Sequence, residues 1–263
     1  MLGILSPLLS AVPGVSHRFF GRVGGTSPAP WTGLNISHDV GDAPARVDEN
    51  LARTRFQIGV GKDALFTAKQ VHGNVVAVVD ADSVLDAVRT GEADALVTTL
   101  KDTAVAVRTA DCAPILLAVD DGSAVAAVHA GWRGAVGGVI ENAVAALGVS
   151  PGRIVAAVGP CIGQDAFEVG PEVVAAAAAV VDAADLEGIV KAGSGDRQHL
   201  DLAALCERVL KKAGVTRVDV VGGCTVNQPS SYFSHRRDNG STGRQLAAIA
   251  IAVPPDFESD TFR

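Results

Sequence analysis

The sequence predicts an α+β fold, a single layered domain in which mixed β-sheets are flanked by helices. Three observations lead there. The chain has 263 residues, 48% of them hydrophobic, enough for one or two domains with a sizeable core. From Leu65 onward, short β-branched and aliphatic runs recur between stretches whose apolar residues follow helical spacing. No tandem repeat or low-complexity linker divides the chain.

Met1 to Val12 is apolar but lacks a basic flank, and Pro7 and Pro13 interrupt it. That argues for an N-terminal strand or arm, not a signal segment. Gly24, Gly25, Pro28, Pro30, Gly33, Gly41, Asp42 and Pro44 make residues 21–50 a long loop, so residues 1–50 form a loop-rich N-terminal part. Strands are expected at Val75–Val79, Ala95–Thr99, Ala104–Arg108, Ile115–Val119 and Ala124–His129, all in one sheet system. Val136, Val139, Ile140, Ala143, Val144 and Leu147 fall on one helical face, placing a helix over Ala135–Leu147 that Gly148 stops.

A second helix is expected over Pro171–Asp182, taking in the alanine-biased Ala175–Ala179. A third covers Leu202–Ala213, with Asp201 as N-cap, Leu202, Leu205 and Val209 on one face, and Gly214 at its close. Strands at Ile154–Val158, Val218–Val221 and Leu246–Ala252 complete the alternation, and residues 1–263 read as one domain.

Composition narrows the function. The net charge of -7 repels phosphate at long range, so nucleic acid and anionic membranes are not expected partners, and any anionic ligand must meet local basic groups. No apolar run approaches the roughly 20 residues needed to span a bilayer. The four cysteines, Cys112, Cys161, Cys206 and Cys224, lie far apart without a C-x-x-C pair, which suits a reducing compartment better than a disulfide framework. A soluble cytoplasmic protein is the expectation.

Three residues stand out chemically. Cys112 lies in Thr109-Ala110-Asp111-Cys112-Ala113-Pro114, where a polar Asp-Cys pair interrupts two apolar strands. Burying polar groups there is expensive, although a buried free cysteine is commonly just a small hydrophobe. His129 ends Val125-Ala126-Ala127-Val128 and precedes the glycine-flanked turn Ala130-Gly131-Trp132-Arg133-Gly134, a strand-to-helix position where sites collect. His72 lies in Lys69-Gln70-Val71-His72-Gly73-Asn74. Either histidine can be a satisfied core residue, and the intervals between the three carry no zinc-finger register. As ligand types, however, two imidazoles and one thiolate leave zinc an open fourth position, where water has a pKa lowered towards roughly 7.

Basic groups near these residues are candidates for an anion. Arg133 beside the Gly131 turn can complete a phosphate cradle, or the turn can be structural, with Trp132 in the core and Arg133 solvated. Gly159-Pro160-Cys161-Ile162-Gly163 after another strand has the same two readings. Near the C-terminus, Ser234-His235-Arg236-Arg237-Asp238 and Thr242-Gly243-Arg244 gather three arginines, which can bind phosphate or pair with surface carboxylates.

Taken in order, Gln70-Val71-His72-Gly73, Thr109-Ala110-Asp111-Cys112, His129 to Gly134, Gly159 to Gly163, Phe167-Glu168-Val169-Gly170 and the Arg-Arg-Asp plus Thr-Gly-Arg tail resemble the YfiH or laccase-domain family. The resemblance runs from about Asn35 to Ala252 and implies a YfiH-like fold. It implies that His72, Cys112 and His129 bind zinc. It also implies a purine nucleoside phosphorylase acting on adenosine, inosine and methylthioadenosine with phosphate, together with deamination of adenosine to inosine, and no organic cofactor. His235 stands where the family often has tyrosine, which bears on substrate preference; no metal role is assigned to it.

On this reading Cys112, His72, His129, Asp111 and Arg133 form the expected catalytic set. Asp111 is the candidate proton carrier for deamination, and Arg133, Arg236 and Arg237 are the candidates for phosphate. The family's older label, copper polyphenol oxidase, fits the sequence less well. Laccase clusters draw on many histidines, often in H-x-H pairs, whereas here there are six isolated ones and a single methionine, Met1. Three other readings remain open: a metal-free cysteine hydrolase using Cys112 with His129 or His72, an amide-cleaving role in editing peptidoglycan precursors, and a binding module around a structural metal.

Overall fold

Residues 3–252 are described by the computed structural model, so residues 1–2 of the predicted N-terminal arm and residues 253–263 of the predicted domain lie outside the description. The chain opens with a short strand, β1 (Gly3–Ile4), and a one-turn helix, α1 (Pro7–Ser10). Ser6 caps α1 by accepting from the Leu9 N–H, and Pro7 occupies the first turn, where its missing donor costs nothing. Strand β2 (Val15–Phe20) follows, unforeseen because its sequence Val-Ser-His-Arg-Phe-Phe alternates poorly.

The predicted loop over residues 21–50 needs correction at its end. Pro44 is not loop punctuation; it starts the helix α2 (Pro44–Ile58). The same proline chemistry serves a turn and a first helical turn, and periodicity decides between them only downstream.

Next come β3 (Leu65–Phe66), β4 (Val76–Val79), α3 (Leu85–Thr90), β5 (Ala95–Thr98), β6 (Ala104–Thr109), β7 (Ala113–Val119) and β8 (Val125–Ala130). All five strands expected here are present, but they do not share one sheet. The helix expected over Ala135–Leu147 is two helices, α4 (Trp132–Val136) and α5 (Val139–Ala146). Gly138, at φ 91°, breaks them in a conformation that costs glycine little. The apolar spacing continues across the break, so periodicity alone did not reveal it.

The remainder runs β9 (Ile154–Val158), β10 (Glu168–Val169), α6 (Pro171–Ala178), α7 (Ala183–Ile189), β11 (Val190–Ala192), β12 (Gln198–Leu200), α8 (Leu202–Lys212), β13 (Arg217–Val220) and β14 (Gln245–Ile251). The helix expected to reach Asp182 ends at Ala178, and Asp182 instead precedes α7. Asp201 caps α8 as expected, accepting from Ala204 N–H at 2.9 Å.

A six-stranded sheet, β13-β9-β7-β8-β5-β4, and a five-stranded sheet, β1-β2-β14-β6-β3, carry the fold, beside a small β10-β12-β11 sheet. Strand alternation assigns the layers. Ile115, Leu117 and Val128 pack with Val139, Ile140, Leu205 and Val209 of the helices. Leu116, Val125 and Ala127 meet Phe19, Val105, Val107 and Ile249 between the sheets. Ala104, Ala106 and Leu246 face the other way, under Leu34, Ile36 and Ile58. Burying each large side chain contributes about 1.5–3 kcal/mol. The result is the expected mixed α+β architecture of sheets with flanking helices. Among the described residues no helix is long and apolar enough to cross a membrane, and all four cysteines are free thiols.

Because β6 and β7 lie in different sheets, the link between them must cross from one sheet to the other. That link carries Cys112.

Candidate metal centre

Asp94, just ahead of β5, is fully buried, and three backbone donors converge on its carboxylate: Val71 at 3.1 Å, His72 at 3.0 Å and Gly73 at 2.7 Å. A fourth hydrogen bond joins it to Nδ1 of His129 at 2.8 Å. Burial pushes the Asp94 carboxyl up, but the bonds from His129, Gly73 and Val71 outweigh it and hold it below its ordinary range. With Nδ1 committed to Asp94, His129 presents Nε2 as its available ring nitrogen.

The His72 loop is fixed from both sides. Gln70 exchanges two hydrogen bonds with the backbone of Arg108 in β6, at 2.7 and 2.8 Å. Asn74 donates to the Gly137 carbonyl at 2.7 Å, and Asn142 of α5 donates back to the Asn74 carbonyl at 2.9 Å. The helix break at Gly137–Gly138 therefore supplies the anchor for the loop that carries a candidate ligand.

Cys112 follows Asp111, a non-glycine residue at φ 99°. Holding that backbone costs on the order of 1–3 kcal/mol unless the surroundings enforce it. They do: the Asp111 carboxylate accepts from Thr225 Oγ1 at 2.5 Å and from Arg236 N–H at 2.6 Å, while its carbonyl accepts from Ile162 N–H at 2.9 Å.

The three candidate ligands then meet. Their donor atoms all lie within 4.8 Å of one another, with Cys112 Sγ 3.7 Å from His72 Nε2. The two imidazole rings stand 4.8 Å apart at 72°. Burial pushes the Cys112 thiol up, yet the imidazoles of His129 and His72 outweigh it and bring it down towards the thiolate. Burial lowers His129, but the Cys112 thiolate and then Asp94 raise it. Gly131 makes the approach sterically possible, since a Cβ there would lie 2.9 Å from His72 Cδ2 and 3.0 Å from Cys112 Sγ. A tetrahedral zinc with roughly 2.0–2.1 Å bonds to nitrogen and 2.3 Å to sulfur sets N···S near ~3.5 Å. The 3.7 Å separation matches that set, so the residues fit the metal.

The trio borders a cavity of about 490 Å3, lined also by Arg108, Arg236, Arg244 and His235, with Ile162 and Phe167 as apolar wall. Of the sequence candidates, Arg236 is there, its guanidinium 5.4 Å from the Phe167 ring and donating to the carbonyls of Ala166 and Glu168. Asp111 also lines the cavity, but as the brace of a strained turn. Arg133 is exposed, stacked on Trp132 at 4.4 Å and not among the residues lining this cavity, while Gly131 in the same turn gives His72 and Cys112 room to approach. Arg237 spends its donors on Asp238, Thr225 and Tyr232 as a structural clasp. Sequence reasoning missed Asp94, Gln70 and Arg108, and it saw Arg244 only as one of three C-terminal arginines able to bind phosphate or pair with surface carboxylates. Arg108 had a signal, a charge ending the apolar strand Ala-Val-Ala-Val-Arg; Asp94 had none to set it apart from a surface acid.

The family described as multi-copper polyphenol oxidoreductase laccase matches residues 16–252. A purine nucleoside phosphorylase of Deinococcus radiodurans is 41% identical over 249 residues, covering 93% of both chains. Adenosine deaminase RL5, from an unknown prokaryotic organism, is 37% identical over 83% of this chain and 87% of its own. The crystal structure of protein NMB0706 of Neisseria meningitidis superposes with a TM-score of 0.84 at 35% identity, covering 96% of this chain and 99% of that one.

Proposed function

The chain belongs to the multi-copper polyphenol oxidoreductase laccase family, the laccase-domain group that includes proteins named YfiH, and we propose that it is a zinc-dependent purine nucleoside enzyme of the cytoplasm. It would cleave adenosine, inosine and S-methyl-5'-thioadenosine with phosphate to free base and ribose 1-phosphate or its methylthio counterpart. It would also deaminate adenosine to inosine. The observation that carries this reading is the three-ligand group of His72, Cys112 and His129 opening on a cavity lined by three guanidiniums. Enzymes named for both activities are among the relatives.

Bound zinc would supply Lewis acidity and a lowered water pKa beside the substrate. His72, Cys112 and His129 would hold it, with Asp94 fixing the tautomer of His129. Phe167 and Ile162 offer the flat purine an apolar wall. In phosphorolysis a phosphate oxygen bonds to the anomeric carbon as the bond from that carbon to the purine nitrogen breaks. The bonding pair leaves with the base, which takes up a proton. An anionic nucleophile must therefore be held against a centre developing positive charge, a task for fixed cations. Arg108, Arg236 and Arg244 line the cavity where that task falls.

A mononuclear centre is also why zinc is preferred to a laccase's copper cluster. Among the described residues only His72, Cys112 and His129 group as possible ligands of one ion; His235 lines the same cavity but is not part of that group.

The test is to strip the purified protein with chelator, reload it with zinc or copper, and assay inosine and adenosine. Zinc restores base release and deamination if the reading holds. Full activity in the stripped protein, or restoration by copper alone, contradicts it.

A further inference from the structure

Resting on the phosphorolytic reading, we propose that Arg108 and Arg244 form the phosphate subsite of this cavity and that the Asp39 carboxylate is a resident counterion that phosphate displaces. The register of the five-stranded sheet places the two guanidiniums together. β14 runs antiparallel to β6, with Leu246 opposite Arg108 and Gln245 opposite Thr109. Side chains alternate along a strand, so Arg244, two residues before Leu246, shares a face with Arg108 as its diagonal neighbour, about 7–8 Å away. Two like charges from neighbouring backbone positions, both half-buried and both lining the same cavity, favour an anion between them. Burial first, and the Arg108 charge second, hold the Arg244 guanidinium below its ordinary range.

Each arginine is tethered by part of its fork and leaves the rest available. Arg108 Nη2 donates to the Ala68 carbonyl at 3.2 Å. Arg244 Nη1 donates to the carbonyls of Thr242 and Gly243 at 3.1 and 3.0 Å, and the Arg244 N–H is fixed by Asn35 Oδ1 at 3.0 Å. Among the described residues neither Nε nor Nη2 of Arg244 has a hydrogen-bond partner. Arg108 Nη1 is held by Asp39 at 2.9 Å.

Asp39 is suited to leave. Its side chain is 75% exposed, on a short 3-10 turn over His38–Val40, so solvent can take over the carboxylate when Arg108, only 18% exposed, engages another anion. A carboxylate with one negative charge engages one fork, whereas a phosphate dianion presents enough oxygens for both, in the geometry that guanidiniums favour. The position suits the reaction, because β6 ends one residue after Arg108, at Thr109, and the link through Ala110 and Asp111 leads directly to Cys112. Asp39 and Arg108 also line a neighbouring cavity of about 700 Å3.

Calorimetric titration of inorganic phosphate into the zinc-loaded protein tests this, at constant ionic strength with chloride as the control anion. Arg244→Gln should weaken phosphate binding tenfold or more, and Asp39→Asn should tighten it severalfold by removing the competitor. Asp39 is exposed, so its variant reports even if the arginine variant folds poorly. Arg244→Gln binding within threefold of the parent, or Asp39→Asn binding more weakly, overturns the subsite. Binding as predicted without cleavage of inosine leaves the subsite standing and rejects phosphorolysis. Phosphate-dependent cleavage with an unaltered KM for phosphate in Arg244→Gln rejects the subsite alone.

Discussion

The buried Asp94 carboxylate receives His129 Nδ1 at 2.8 Å and the His72 N–H at 3.0 Å, so a single acid positions two of the three candidate ligands. Asp94→Asn keeps the shape and removes the charge that opposes Nδ1. Loss of such a ligand partner costs about 10–100-fold in metal affinity. Competition with a chromophoric zinc chelator should show that loss; unchanged zinc affinity would show that Asp94 only shapes the loop.

Gly131 has an ordinary φ of -69°, so alanine is compatible with its backbone. The added methyl would nevertheless press on His72 and Cys112 at 2.9 and 3.0 Å. Gly131→Ala should therefore lower zinc stoichiometry well below one per chain while shifting stability by no more than about 1 kcal/mol. Metal analysis beside a thermal melt separates the two effects.

Arg237 clasps the Asp238 carboxylate and the carbonyls of Thr225 and Tyr232. Arg237→Gln leaves these half-buried groups without partners and should destabilise the fold by about 2–3 kcal/mol. Its KM for phosphate should stay within twofold of the parent. A tenfold rise in that KM without destabilisation would return Arg237 to the phosphate site.

His17 supplies a pH signature. It is buried, and Ser6 N–H donates to its Nε2 at 2.8 Å. Burial, then the neighbouring Arg18, lower its pKa from 6.5 to about 4, with Asp219 opposing. Between those values the unfolded chain binds a proton that the folded chain does not, so stability rises with pH across the window and falls as pH drops through it. The full effect is about 3 kcal/mol. His17→Asn, whose side-chain oxygen can still accept from Ser6, should flatten the change in urea midpoint between pH 7 and 4.5 relative to the parent.

Legibility followed the physics of each signal. Aliphatic strands such as Ile154–Val158 and the capped helix after Asp201 were readable because burial and capping leave local marks. The assignment of β6 to a second sheet was not, since strand pairing is decided by partners far along the chain. Residue type and motif marked His72, Cys112 and His129, but their convergence required the crossing between sheets. Asp94, Gln70 and Thr225 act through hydrogen bonds to distant backbone or to one distant carboxylate, and nothing in their local sequence announces it.

The measurement that bears most directly on the whole account is phosphorus NMR of the zinc-loaded protein turning over inosine in inorganic phosphate. Growth of a ribose 1-phosphate resonance, equimolar with hypoxanthine and absent from protein stripped of metal, is the predicted result. Hypoxanthine released at the same rate without phosphate, or no release at all, would contradict it.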